Sequence, residues 1–224
     1  TYVPLYVNEG VAVAQYNMTQ LEQLGLLKMD FLGLRTLTVI EDCIEIVKEN
    51  QNIDVEFDEK MADPKVYKLW QEGKSYGIFQ FESQGMTNFM KELKPDGLED
   101  IIAGVSLYRP GPMDQIPRYI KGKLTGQYEY THPSLAPILK VTYGCMVYQE
   151  QVMQIFRQLA DYTLGQADLV RRAMGKKKLD VMAKEREYFI HGQTDENGNI
   201  IIPGCVRNGI DEKSANKIFD EMAE

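Results

Sequence analysis

Apolar side chains follow two different rhythms along the chain. Near its start the period is 2. VAVAQYNM at 11–18 alternates as a strand does, and LLKMDFL at 26–32 predicts a buried strand. Between them Thr19, with Glu22 three residues on, predicts a capping box that opens a short helix, and Gly25 ends it. From Thr36 the period becomes 3.6. Leu37, Ile40, Ile44 and Val47, with Cys43 and Ile46 beside them, form one stripe and predict a helix over residues 36–49.

The longer period then dominates. After the connector NQNIDVEF, Pro64 opens a helix running through Trp70. EGKSYGIFQFES at 72–83 predicts a short aromatic strand or turn, followed by a helix over 84–91. The next helix, of about nine residues, stops before Arg109. RPGP at 109–112 fixes a rigid turn, since each proline locks φ and pushes its predecessor out of the α region. THPSLAPIL gives a turn and a short helix. Residues 147–160 read as an amphipathic helix with Val152, Ile155, Phe156 and Leu159 inward. Further helices are predicted over 166–174, ending at Gly175, and over 177–190. A loop or small hairpin follows around Asn197-Gly198, and a last helix over 212–223 is capped by Asp211. The layout is α+β: a small opening of strands and a short helix, then a mostly helical body.

Composition narrows the class. The 224 residues are 44% hydrophobic, 26% charged and 10% aromatic, which excludes a disordered tail, a collagen-like fibre and a disulfide scaffold. No apolar run reaches the ~18 residues that a membrane-spanning helix needs. TYVPLYVNEG has neither the basic nor the apolar region of a secretory signal, and it starts without Met on a strand-like stretch. The chain is therefore expected to be a piece of a longer protein. Cys43, Cys145 and Cys205 are too scattered for a zinc site or a disulfide framework and predict core thiols in a reducing cytoplasm. The aromatic residues Tyr67, Trp70, Phe79, Phe81 and Phe89 are expected in the core as well.

The net charge of -8 is unevenly spread. Residues 41–63 carry nine acids against Lys48 and Lys60, whereas residues 171–186 carry seven bases against Asp180 and Glu185. A polyanionic ligand responds to the local field, because salt screens charges beyond roughly 8–10 Å. Three places hold candidate chemistry. In LLKMDFL the strand period puts Lys28 and Asp30 on one face, either as a carboxylate for a divalent metal beside an ammonium for a phosphate, or as a mutual surface salt bridge. ADLVRRAMGKKK gathers Arg171, Arg172 and Lys176 to Lys178 for phosphate oxygens, or forms a solvated helix face. Arg109 in LYRPGP is a third cation on a rigid turn, or a structural arginine bonded to carbonyls. His132 and His191 are isolated, and the spacing supports no Ser-His-Asp or Cys-His arrangement.

Six strings, GLLKMDFLGLRTLT, GIFQFES, LYRPGPM, HPSL, TYGCMVYQEQVMQI and YTLGQADLVRRAMGKKK, occur in this order and cover nearly the whole chain. Together they closely resemble the DNA polymerase III α-subunit family, the bacterial C-family replicative polymerases, in the widespread form without an inserted exonuclease. The resemblance implies a nucleotidyltransferase-like palm remnant over 1–35 and a helical fingers domain over 36–224, truncated at its C-terminal end. It implies that Asp30 matches the third aspartate of a site for two magnesium ions and that Lys28 faces the incoming triphosphate. Arg171 and Arg172 would contact that triphosphate, with Lys176 close by and Arg109 near the active site. Primer-template DNA, deoxynucleoside triphosphates and other replicase subunits including the sliding clamp are the implied partners, in the bacterial cytoplasm. The paired aspartates that would precede Asp30 are not in the chain, and no D-x-D replaces them, so the piece is expected to be inactive alone. Two other readings stay open: an error-prone paralogue of the same family, and a non-catalytic acidic helical interaction module in which Asp30 is structural.

Overall fold

Two small antiparallel hairpins and eleven helices make up the regular structure of the computed structural model, which describes residues 3–57, 60–175 and 179–223. The chain divides into two compact units, residues 1–57 and 58–224. The α+β expectation is met, with the helices concentrated in the second unit.

The first unit opens with β1 (Leu5–Asn8) paired to β2 (Val11–Ala14), Leu5 opposite Ala14 and Asn8 opposite Val11. The two-residue turn Glu9-Gly10 has positive φ at both positions, the backbone that matches the twist of a tight hairpin. Helix α1 (Met18–Gln23) is capped two residues before the expected position, Thr19. Asn17 caps it: its Oδ1 accepts from the Gln20 N–H at 3.0 Å, and Gln20 Oε1 accepts from the Asn17 N–H at 3.1 Å. Asn caps at least as well as Thr, and Gln20 closes the box that Glu22 was expected to close. Gly25, at φ +81°, terminates the helix as expected.

Residues 26–34 are not a strand, which corrects the reading of LLKMDFL. Among the described residues no strand pairs with them, and Phe31 and Leu32 are 93% and 92% exposed. Alternation records what a segment would bury against a sheet, whereas a strand also needs a hydrogen-bonded neighbour. Helix α2 (Arg35–Gln51) confirms the 36–49 prediction and ends on Asn52 in the left-handed region. Of its apolar stripe, Ile44 and Val47 are half-buried and Leu37 and Ile40 are exposed.

The second unit begins with α3 (Pro64–Gln71), where Asp63 accepts from the Lys65 N–H at 2.8 Å and Pro64 occupies the first turn. The aromatic stretch 72–83 resolves as turns, with the buried Ser75 hydroxyl donating to the Phe81 carbonyl at 2.8 Å. Helices α4 (Gln84–Leu93) and α5 (Leu98–Leu107) pack closely enough that a Cβ on Gly104 would come within 2.9 Å of the Met90 sulfur. With Phe81, Phe89, Leu107 and Tyr119 they build one core, against which Trp70 packs. Phe79 stays exposed, against expectation.

Helix α6 (Ile116–Thr125) follows a 3-10 turn over Pro112–Gln115 and was absent from the sequence reading. It carries Lys123, whose side chain is 6% exposed and whose ammonium lies 2.9 Å from both Asp96 and Asp100. Burial disfavours the charged form of Lys123, but its hydrogen bonds to Asp96 and Asp100 outweigh this and hold its pKa above the ordinary value. The same contact holds Asp96 below the usual carboxylate range.

A second core joins α7 (Ala136–Leu139), α8 (Gln149–Ala160), α9 (Leu164–Gly175), α10 (Leu179–His191) and α11 (Glu212–Ala223). Its centre is an aromatic trio: Phe156 meets Phe189 edge-on at 5.0 Å and Phe219 at 6.1 Å, and the Arg186 guanidinium lies 4.6 Å over the Phe219 ring. Ile155, Phe156 and Leu159 point inward as predicted, while Val152 is half-buried. Between α10 and α11 lies the hairpin of β3 (Gln193–Thr194) and β4 (Ile200–Ile202). There Gly192 and Gly204, both at positive φ, lie where backbones crowd: a Cβ on Gly204 would meet the Gly192 backbone, and one on Gly192 would meet the carbonyls of Ile202 and Pro203. The cap of α11 is the predicted one, Asp211 Oδ1 accepting from the Ser214 N–H at 3.0 Å. Cys145 and Cys205 are buried, but Cys43 is exposed on α2, correcting its placement in a core.

Candidate functional site

In the first unit the two charges expected on one face do meet each other. Lys28 Nζ lies 3.0 Å from Asp30 Oδ1 and 3.2 Å from Oδ2, with the side chains 58% and 56% exposed. This is the mutual surface pair, worth little in free energy at such exposure. Among the described residues no cluster of three or more His, Cys, Asp or Glu could hold a metal. Magnesium takes oxygen ligands, uses one or two carboxylates per ion and keeps several waters, so the exposed Asp30 carboxylate fits as one ligand of such a site and does not fit as the whole of it.

In the second unit the basic helix is built from its cap outward. Thr163 and Gln166 form a capping box at the start of α9: Thr163 Oγ1 accepts from the Gln166 N–H at 3.3 Å, and Gln166 Oε1 accepts from the Thr163 N–H at 2.8 Å. Ala167, Val170 and Ala173 are buried, which fixes the rotation of the helix and leaves Arg171 half-buried and Arg172 exposed. Both arginines turn to one acid. Asp168 Oδ1 accepts from Arg171 Nε at 3.1 Å and Nη2 at 2.7 Å, and Oδ2 lies 2.7 Å from Arg172 Nε. The Arg171 hydrogen bond, with the positive charges of Arg172 and Arg171, holds Asp168 below the usual carboxylate range. Arg171 Nη1 also donates to Gln149 Oε1 at 2.7 Å.

Gln149 is placed by the residue two positions on. Buried Gln151 accepts from the Val147 and Tyr148 N–H groups at 2.9 Å and donates to Thr142 Oγ1 at 2.8 Å, pinning the start of α8 where it packs against α9. Gln149 lines a cleft of about 460 Å³, together with Gly111, Pro112, Arg118, Tyr148 and Val152. Thus the RPGP turn and a partner of Arg171 border the same cavity. The turn needs glycine at 111, where φ is +105°. Arg109 itself is exposed, its carbonyl accepting from the Met113 N–H at 3.2 Å, and among the described residues its guanidinium has no hydrogen-bond or ion-pair partner. The carbonyl-bound structural arginine is instead Arg118, which donates to Glu129 O at 3.1 Å.

Lys176 to Lys178 lie outside the described residues. His132 accepts from the Ser134 N–H at 3.2 Å as a local cap, and His191 faces Glu187 and Glu212 at 3.9 and 3.8 Å. Asp168 and Gln149 escaped the sequence reading. Asp168 was detectable, since three- and four-residue spacing puts an acid beside both arginines on a helix; Gln149 was not, because its contact spans 22 residues.

Residues 36–197 match the model of the bacterial DNA polymerase III α-subunit finger domain. The chain belongs to that family. It is 47% identical to DNA polymerase III subunit alpha of Aquifex aeolicus (strain VF5), over 98% of this chain and 18% of that protein. It is 49% identical to the subunit of the same name from Thermus aquaticus, over 96% and 17%. For the Staphylococcus aureus (strain COL) subunit the values are 42%, 98% and 20%. The chain therefore spans about a fifth of the length of these curated relatives. Within the family, Arg109, Arg171 and Arg172 fall in the finger-domain match, and Lys28 and Asp30 precede it. Among the described residues no helix is long and apolar enough to cross a membrane.

Proposed function

We propose that this chain supplies part of the active site of a DNA-directed DNA polymerase, with residues 1–35 closing the palm and 36–224 forming most of the fingers. Arg171 and Arg172 bind the triphosphate of an incoming deoxynucleotide, Lys28 and Lys176 add positive charge, and Arg109 stands at the edge of the pocket. The observation that carries this reading is the tandem arginine pair of α9, inside the finger-domain match, with terminal amino groups left over after Asp168 and Gln149 are satisfied. A guanidinium fork matches phosphate oxygens, and phosphoryl transfer needs little from a protein beyond alignment and offset of charge.

Asp30 would be one carboxylate of a two-magnesium site completed by other residues of the whole polymerase. Bound magnesium there supplies Lewis acidity and neutralises charge on the reacting phosphates. For Asp30 to take that role it must exchange Lys28 for the metal, and the released ammonium is then free for the triphosphate. Primer-template DNA is the co-substrate, other replicase subunits including the sliding clamp are partners of the whole enzyme, and the bacterial cytoplasm is its place of action. With a single candidate ligand, the 224-residue chain by itself does not polymerise.

The test uses the full-length polymerase on a primed template. Arg171→Ala and Arg172→Ala should each raise the deoxynucleotide KM or lower kcat by about ten- to a hundredfold, the range for losing a charged hydrogen bond. Asp30→Ala should abolish turnover and leave the thermal transition in place. Wild-type kinetics in both arginine variants would move the triphosphate site elsewhere, and full activity in Asp30→Ala would return that residue to a surface salt bridge.

A further inference from the structure

We infer that Asp168 and Gln149 are positioning residues that hold Arg171 and Arg172 ready for a triphosphate, an inference that rests on the triphosphate reading above. An arginine offers five N–H donors in a fixed fork. Three of those on Arg171 are committed: Nε and one Nη2 hydrogen to Asp168, and one Nη1 hydrogen to Gln149. One hydrogen remains on each terminal nitrogen for an incoming anion, while the side chain is gripped by Asp168 and Gln149. Arg172 Nε meets the second oxygen of the same carboxylate, and among the described residues its terminal amino groups have no further partner.

The arrangement addresses two costs of binding an anion with arginine. A long side chain with many rotamers loses entropy when it clamps a ligand, and that loss falls if the side chain is already fixed. Adjacent guanidinium groups also repel, and a shared carboxylate offsets this before any ligand arrives. Asp168 is the only acid in α9, placed three and four residues from its partners so that one carboxylate reaches both. Gln149 adds a neutral acceptor from another helix, so Arg171 is tied to the cleft beside the RPGP turn without loss of positive charge. The Arg171 hydrogen bond, with the Arg172 and Arg171 charges, holds Asp168 below the usual carboxylate range, so the grip does not depend on pH near neutrality.

The experiment uses the full-length polymerase and four variants: Asp168→Asn, Asp168→Glu, Gln149→Leu and Arg171→Ala. Deoxynucleotide KM and kcat are measured on a primed template, together with inhibition by inorganic tripolyphosphate, which has no base or sugar. Asp168→Asn should raise KM and the tripolyphosphate inhibition constant about tenfold while kcat changes less than about twofold, as expected when one charge-assisted contact to a binding group is lost. Asp168→Glu should recover most of the effect, and Gln149→Leu should show a smaller rise of the same kind. An Asp168→Asn enzyme with unchanged or tighter tripolyphosphate inhibition, beside an Arg171→Ala enzyme that has lost it, overturns the positioning role and leaves the triphosphate reading intact. Unchanged inhibition in Arg171→Ala overturns both. A fall in kcat with constant KM and a lowered thermal midpoint in Asp168→Asn would show a structural acid and overturn the inference.

Discussion

Replacing Lys123 by Met tests how far a buried ion pair carries the first core of the fingers. The ammonium sits 2.9 Å from two carboxylates that differ in setting: Asp100 is buried, with its side chain 6% exposed, and Asp96 is largely in solvent. An exposed pair contributes only about 0–1 kcal/mol, so the Asp96 contact is the minor part. Loss of one member of a buried pair costs about 3–5 kcal/mol, because the remaining charge has neither partner nor water. In Lys123→Met the Asp100 carboxylate keeps the Asp96 N–H, 3.0 Å from Oδ2, and no cation. Relief comes by protonation, which burial already favours by pushing Asp100 upward. That relief places the expected loss at the lower end, about 3 kcal/mol, or roughly 6–12 °C in midpoint for a chain of this size.

Urea unfolding followed by fluorescence suits the question. The chain has a single tryptophan, Trp70, which packs beside Tyr67 and Phe81 at 6.1 and 5.6 Å in the same core. Lys123→Met should lower the unfolding midpoint with little change in slope, and the double variant Lys123→Met/Asp100→Leu should recover most of the loss by removing the stranded charge. A single variant within about 1 kcal/mol of the parent chain would show that the triad behaves as a surface cluster, and would refute the burial argument.

The same triad sets a pH profile. Lys123 titrates above its ordinary 10.5, so its stabilisation is complete below that value and is lost as pH rises through the higher folded pKa. Asp96 titrates below its ordinary 3.8, so its part is present above that value and is lost as pH falls through the lower folded pKa. Asp100, pushed upward by burial, acts in the opposite sense in acid and offsets the Asp96 loss, so the alkaline limb is the triad's signature: urea midpoints should fall as pH rises through the folded pKa of Lys123, and a flat alkaline limb would contradict the Lys123 assignment. Thiol titration of the native chain should modify Cys43 quickly and spare Cys145 and Cys205, whose burial raises their pKa to about 11 and about 12; urea should expose all three, and three fast thiols without urea would contradict the second unit's cores. Gly204→Ala should lower the thermal midpoint by at least about 5 °C, since the new methyl meets the Gly192 backbone at a φ that also disfavours a side chain; an unchanged midpoint would mean the two backbones can separate freely.

Legibility of the fold in the sequence followed the range of the interactions involved. Helices whose apolar residues repeat over three or more turns, such as α2 and α8, were readable because their period depends only on nearest turns. Helix α6 was hidden because Pro117 follows the RPGP turn so closely that the stretch looks like irregular punctuation; proline at the first turn in fact suits a helix start. LLKMDFL shows the converse error. Its alternation is genuine, but a strand is a two-segment property, and the sequence shows only one of the segments. The candidate arginines were legible from their residue types and from the family strings, whereas their true partners needed either helical arithmetic, for Asp168, or the packing of α8 on α9, for Gln149.

That difference changes how a basic run should be weighed. Seven bases between 171 and 186 suggest a strong field, yet the two whose positions carry the chemical argument share one carboxylate, and a third, Arg186, is paired with Asp220 and stacked on Phe219. Within α9 itself, among the described residues, the charge available to an anion is therefore closer to one unit than to two. On the triphosphate reading proposed above, the ligand carries more negative charge than that offsets, so geometry rather than raw charge would have to supply the specificity of this helix. A pair of guanidinium groups already oriented by Asp168 and Gln149, as inferred above, would do so, because a bidentate fork that is fixed in advance discriminates by the spacing of oxygens, where a loose cluster of lysines would attract any anion alike.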